Sequence, residues 1–212
     1  MKIKFVCTLA FAGALVSQGF AFAQTRADVL SEHVHYLASD ELRGRKAGSE
    51  EAQMAREYII NEFNQAGIVP FFQKGFRQHF QVDGEGYCNA VGMIEGSDPE
   101  LKNEYVVLGA HFDHLGVRNG KIYPGADDNA SGSAALIEVA KALAGKKDML
   151  KRSVIFAAFD AEEIGLFGSN HLSKTLVDSL GVKNIKLMMS LDMVGYYRQS
   201  GELILQGTST IK

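Results

Sequence analysis

Apolar residues recur at helical spacing in some stretches of the chain and form short unbroken runs in others. From Arg26 to Ala38, Val29, Leu30, Val34 and Leu37 fall roughly on one face, which predicts a helix. Ser49 followed by Glu50 and Glu51 is a helix start, because the hydroxyl caps a free amide and the acids complement the helix dipole. Ala52, Ala55, Ile59, Phe63 and Ala66 continue it at helical spacing, and Gly67 supplies the stop. A third helix is predicted from Ser131 to Ala144, with Leu136, Val139, Ala140 and Leu143 inward, and a fourth from Phe167 to Val177. The unbroken runs Tyr105–Ala110, Val154–Phe159 and Ile185–Leu191 have the length and content of strands buried on both faces. Phe76–Val82 and Tyr87–Ile94 read as strands around the turn Asp83-Gly84-Glu85-Gly86, and Glu202–Gln206 as a further strand. Strand, crossover helix and strand from Tyr105 to Phe159 predict a right-handed βαβ unit. The layout is one α/β domain, with a mostly parallel core and an antiparallel edge.

Composition adds exclusions. Of 212 residues, 46% are hydrophobic and 22% charged, an ordinary globular balance that argues against a disordered, collagenous or coiled-coil chain. Lys plus Arg number 22 against 25 Asp plus Glu, a net charge of -3, so the basic excess of a nucleic-acid binder is absent. The first residues change the picture most. Lys2 and Lys4 precede a nearly apolar stretch from Phe5 to Val16, and Ala21-Phe22-Ala23 has the small-x-small form of a cleavage site. That is a secretory signal pattern, too short for a comfortable membrane span. Residues 1–23 are therefore expected to be a signal peptide, and the protein to be secreted or periplasmic without stable membrane insertion. Its removal takes away two lysines, leaving 20 basic and 25 acidic residues, and leaves Cys88 with no cysteine to pair with. The sequence does not specify an oligomeric state.

Each of the three runs ends in groups capable of chemistry. The first leads into His111-Phe112-Asp113, the second into Asp160-Ala161-Glu162-Glu163, and the third into Asp192. Parallel open sheets place their ligand sites beyond the carboxyl ends of the strands, so the fold gathers these groups at one edge. Gly125-Ala-Asp-Asp-Asn-Ala-Ser-Gly132 joins them at the start of the crossover helix. One imidazole among several carboxylates is destabilised by repulsion and desolvation unless a cation compensates them. A divalent metal does so, and imidazole with carboxylates suits zinc. Singly, each group has an ordinary alternative: Glu162 and Glu163 as solvated acids, Asp127-Asp128-Asn129 as a capping turn, His111 as a hydrogen-bonded histidine. Their joint placement after successive strands favours the metal. His33, His35 and His79 stand apart from the acids, His114 reads as a neighbour outside the ligand set, and Met188, Met189 and Met193 read as core.

Gly109-Ala-His-Phe-Asp-His114, Gly125–Gly132, Asp160-Ala-Glu-Glu-Ile-Gly-Leu-Phe-Gly-Ser169 and Leu191-Asp-Met-Val-Gly195 resemble a zinc peptidase family of clan MH. This family contains secreted bacterial leucyl aminopeptidases and, more distantly, glutamate carboxypeptidase, glutaminyl cyclase and the transferrin receptor. The resemblance runs from about Arg26 to Lys212, and Asn89–Gly96 also looks like the family strand that precedes the metal region. It implies a three-layer αβα zinc-exopeptidase fold with a mixed central sheet. It also implies two Zn2+ ions, with His111 and Asp192 on one, Glu163 on the other, and Asp128 bridging both. By the same resemblance Glu162 is the general base, Asp113 orients His111, and the Asp128–Asn129 peptide is often cis. The implied function is hydrolytic removal of N-terminal amino acids from peptides with a free N-terminus.

One feature departs from the family. Relatives carry a further histidine ligand well after the position of Asp192, whereas the last histidine here is His171. Residues 24–212 are accordingly expected to be the N-terminal portion of a single peptidase catalytic domain, with the C-terminal part missing and the second metal poorly held. Alternatives on the same fold are a carboxypeptidase, a glutaminyl cyclase-like enzyme, or a non-catalytic receptor-like module. The complete set of His111, Asp128, Glu162, Glu163 and Asp192 argues against the last.

Overall fold

The computed structural model describes residues 27–196 and Gly201. The expected signal segment 1–23 and the strand expected at Glu202–Gln206 lie outside the described residues. Helix α1 covers residues 27–37. Helix α2 is Glu50–Gln65, and Ser49 caps it by accepting a hydrogen bond from the Ala52 amide at 3.1 Å. Strands β1 (Val69–Pro70), β2 (Arg77–Val82) and β3 (Glu85–Ile94) follow, then β4 (Tyr105–His111) and a small hairpin of β5 (Gly116–Arg118) and β6 (Lys121–Tyr123). Helix α3 (Gly132–Ala144), β7 (Ser153–Phe159), α4 (Phe167–Leu180) and β8 (Ile185–Ser190) complete the described elements.

The main sheet runs β1-β3-β7-β4-β8, with β2 also on β3. Strand β4 pairs in parallel with β7 on one side and β8 on the other, while β3 runs antiparallel to β7. Every residue of β7 is buried, and its side chains divide by parity. Val154, Phe156 and Ala158 enter the core beneath α1, α2 and α3, with Leu37, Ile59, Phe63, Leu136 and Ile137. Ile155, Ala157 and Phe159 enter the second core, closed by Leu172 and Leu176 of α4. Helices on both faces thus explain why the run is uniformly apolar. They make the three-layer αβα architecture expected from the sequence.

Four expectations need correction. The β2–β3 turn is only Asp83-Gly84, both at positive φ (52° and 88°), so β3 starts at Glu85 and pairs with Val82. A two-residue turn in this conformation matches the twist of the strands it joins. In α3 Leu136 and Ala140 point inward as expected, joined by Ile137 and with Leu143 partly buried against the same core, whereas Val139 is 37% exposed. The strand predicted at Ile185–Leu191 forms, but it is not buried: among the described residues it pairs only with β4, and its residues are half-buried or exposed. Met188, Met189 and Met193, expected in the core, are 47%, 41% and 56% exposed. Among the described residues no helix is long and apolar enough to cross a membrane.

Candidate metal centre

The carboxyl ends of β4, β7 and β8 converge at one edge of the sheet. Strand β4 delivers His111 in its last position, with Asp113 and His114 just beyond. Strand β7 leads into Asp160, Glu162 and Glu163, and β8 into Asp192. The irregular turn Ala126–Ser131 brings in Asp127 and Asp128 before α3 begins.

His111 is buried, and its Nε2 lies 3.3 Å from Asp128 Oδ1 and 3.5 Å from Asp192 Oδ1. Ligands about 2.0–2.1 Å from a tetrahedral zinc stand roughly 3.3 Å apart, so these three atoms are spaced to share one ion. The other ring nitrogen, Nδ1, is 3.1 Å from the carbonyl oxygen of Asp113. Donation from Nδ1–H to that carbonyl leaves the Nε2 lone pair facing the carboxylates. The Asp113 carboxylate, fully buried, lies 3.7 Å from Nδ1. It also accepts hydrogen bonds from the amides of Glu162 at 3.1 Å and Glu163 at 3.2 Å. Asp113 therefore fixes the backbone of both glutamates as well as flanking the histidine.

Asp128 faces two ways. Its Oδ1 points to His111, and its Oδ2 lies 3.9 Å from His114 Nδ1. His114 in turn sits 2.6 Å from Glu163 Oε1. A second possible donor set, His114, Asp128 and Glu163, thus shares its carboxylate with the first, His111, Asp128 and Asp192. The 2.6 Å separation is that of a charge-assisted hydrogen bond, so His114 orients Glu163 at this spacing. Direct ligation by both side chains requires them to open by roughly 0.7 Å, from 2.6 Å to the tetrahedral separation.

The neighbouring aspartate is engaged elsewhere. Asp127 Oδ1 accepts from the Gly195 amide at 2.8 Å and from Ser131 Oγ at 3.3 Å. The Asp128–Asn129 peptide is cis, and Asn129 is fully buried. Its Nδ2 donates to the Leu191 carbonyl at 2.9 Å, while its Oδ1 accepts from the amides of Gly132 at 3.0 Å and Met193 at 3.2 Å. Asn129 so ties the start of α3 to the segment carrying Asp192. Glu162 Oε2 stands 3.9 Å from His111 Nε2 but belongs to neither donor set.

Electrostatics reflect the crowding. Burial alone depresses His111, but Asp113, Glu162 and Asp192 outweigh it and push its pKa up to about 9. Burial raises Glu162, and Asp113, Glu163 and Asp192 add to this against the opposing His111. Imidazole nitrogen and carboxylate oxygens in these two sets fit zinc.

Sequence reasoning placed His111, Asp113, Asp128, Glu162, Glu163 and Asp192 together, and the structure brings all six to this edge. It placed His114 outside the ligand set, where the structure puts it against Glu163 with its side chain only 10% exposed. The signal was its position directly after Asp113, but the spacing alone does not say which way the side chain turns. The remaining four histidines lie elsewhere: His33 hydrogen-bonds Tyr58 at 2.6 Å, His35 bonds Ser31, His79 is exposed on β2, and His171 stacks on Phe80.

Asp160 was not assigned a role from the sequence. It is buried and accepts from the amides of Cys88 at 3.1 Å and Ala161 at 2.8 Å. It lines a cavity of about 470 Å³ together with Arg56, His79, Tyr87 and Cys88; none of the metal-facing donors lines it. Burial, aided by Asp113, raises the Asp160 pKa to about 6 against the two amides. Because this exceeds the roughly 3.9 of an unfolded aspartate, its contribution to stability is full below about pH 4. That contribution is lost as pH rises through about 6. The stability of the wild type relative to Asp160→Asn should therefore decline between pH 4 and 7 in urea unfolding. A difference independent of pH would show that Asp160 ionises normally.

Residues 89–210 match the sequence model of Peptidase family M28. The chain is 29% identical over 171 residues to the uncharacterized protein YfbL of Escherichia coli (strain K12), an alignment covering 79% of this chain and 47% of YfbL. It is 34% identical over 176 residues to leucine aminopeptidase 1 of Sclerotinia sclerotiorum, covering 80% of this chain and 42% of that one. The crystal structure of LapB from Legionella pneumophila superposes with a TM-score of 0.62 at 26% identity, over 80% of this chain and 43% of LapB. The chain spans less than half the length of each of these three proteins.

Proposed function

The chain belongs to Peptidase family M28, and on that footing we propose that it is a zinc-dependent aminopeptidase, releasing N-terminal residues from peptides. The observation that carries this reading is the position of Asp128, whose two oxygens face two adjacent donor sets. The likeness to a leucine aminopeptidase supports it.

His111, Asp128 and Asp192 would hold one zinc, while Asp128 and Glu163, with His114 beside them, face the place of a second. Zinc bound there lowers the pKa of water towards roughly 7 and polarises a carbonyl oxygen. Glu162 supplies what those donors do not. It is half-buried at the rim of the cluster, close enough to take a proton from the attacking water and return it to the departing amine. Asp113 holds the Glu162 amide, so the carboxylate is presented from a fixed backbone.

The surplus of carboxylates at the edge favours a substrate bearing a cationic α-amino group. A carboxypeptidase needs instead a cation directed at the substrate terminus. The buried guanidinium beside this site, Arg45, donates to backbone carbonyls instead. Export to the periplasm or medium follows from residues 1–23 and belongs to the same proposal.

Zinc per chain and turnover of a panel of aminoacyl-nitroanilides, N-blocked analogues and C-terminal substrates test the reading. Zinc uptake with cleavage restricted to free N-termini is the expected result. Cleavage of the C-terminal substrates, or activity unaffected by exhaustive chelation, would overturn it.

A further inference from the structure

Arg45 sits in the Gly44-Arg45-Lys46 run and has no solvent-exposed surface. Among the described residues it forms no ion pair with a carboxylate. Its guanidinium donates only to backbone carbonyls: Nε to Phe112 at 2.8 Å, Nη1 to Leu37 and, at 2.7 Å, to Pro124, and Nη2 to Gly125 at 3.0 Å. Phe112 lies between His111 and Asp113. Pro124 and Gly125 open the turn that carries Asp128.

The backbone repeats the pattern. The Arg45 carbonyl accepts from the His114 amide at 3.0 Å, and the Gly44 carbonyl from the Gly116 amide at 2.9 Å. Gly44 is at φ +74°, and a Cβ there would lie 2.2 Å from the Tyr123 oxygen, so the run is pressed against both segments. A planar fork with several fixed donors can hold two loops at a set separation, which a single ammonium cannot. Burial lowers the Arg45 pKa to about 10 while Asp113 and Asp128 oppose the shift, so it stays charged at neutral pH and offsets part of the acid excess.

We propose that Arg45 is a positioning residue for the metal centre: by bracing the Phe112 and Pro124–Gly125 carbonyls it sets the distance between His111 and Asp128. Its hydrogen bonds go to backbone carbonyls and to none of the donor atoms. The role rests on the metal centre proposed above, and it lies within α1, the Gly44–Lys46 run and the two loops on one face of the sheet.

The test uses cobalt(II) as the probe, with the full chain carrying Arg45→Lys or Arg45→Met. Circular dichroism of the metal-free proteins first establishes folding. Leu176→Ala, which hollows the core on the opposite face, is the control for lost stability. Cobalt affinity is expected to fall about 10–100-fold in Arg45→Met, as for other residues that orient ligands. The visible cobalt spectrum should change in shape, and Arg45→Lys should recover part of the affinity. The control should keep the wild-type spectrum. Wild-type affinity and spectrum in Arg45→Lys would overturn the role, as would the same spectral change in the control. Failure of both Arg45 variants to fold overturns it too, since Arg45 would then serve the fold as a whole. A wild-type chain that takes up no cobalt overturns the metal centre itself, which separates the two failures.

Discussion

Glu162→Gln is expected to lower kcat by about 10²–10⁴-fold while the zinc content of the purified protein stays at the wild-type level. Glutamine preserves the size of the side chain, and the backbone at this position is fixed by the Asp113 carboxylate, which accepts the Glu162 amide at 3.1 Å. What changes is the ability to accept and return a proton. Because Glu162 lies outside both donor sets, its loss should leave the ions in place. The pair of measurements is elemental analysis of zinc and steady-state kinetics on an aminoacyl-nitroanilide. Near-normal turnover would assign the proton transfer to another group. Parallel loss of zinc would make Glu162 a ligand.

Asp128→Ala should deplete metal from both donor sets at once, whereas Asp127→Ala should leave metal binding largely intact. Asp128 is the one residue shared by the two sets, and its removal leaves each with two side chains. Asp127 points its Oδ1 to the Gly195 amide and Ser131, so its substitution loosens that loop contact instead. Zinc per chain after dialysis against a weak chelator distinguishes the two variants. The reverse order of metal loss would identify Asp127 as the bridge.

The parts of this architecture that were legible before the structure are those with a strong local pattern. Strands β4 and β7 could be read because both faces are covered, which demands unbroken apolar runs. Helix α2 could be read because its cap, spacing and glycine stop agree. Strand β8 was read as buried because Ile185-Lys-Leu-Met-Met carries the same apolar content, yet local pattern cannot report how many neighbours a strand has. The short strands β1, β5 and β6 leave too few residues for any period to show.

The site was legible for a different reason: acids and a histidine directly after strand ends are placed by topology alone. Its supports were not. Arg45 lies in a Gly-Arg-Lys run that looks like a solvated loop, and only the fold shows it enclosed by carbonyls. Asp160 resembles one more acid in an acidic stretch until the amides of Cys88 and Ala161 are seen to hold it. His114 depended on a side-chain direction that three-residue spacing at a strand exit does not specify.

The wide separation in sequence of His111, Asp128 and Asp192 has a consequence for how the molecule unfolds. The three side chains meet only once β4, the start of α3 and the exit of β8 are docked together, so the unfolded chain offers no comparable site. An ion held there acts as a reversible cross-link between distant segments, present in the native state alone. By mass action it adds about 2.7 kcal/mol at a free concentration of roughly a hundred times its dissociation constant. Thermal melting of this protein should therefore report the free zinc concentration as much as the packing of its core. The midpoint will climb with added zinc and fall under a chelator, and any ranking of variants by melting temperature holds only at one fixed metal activity.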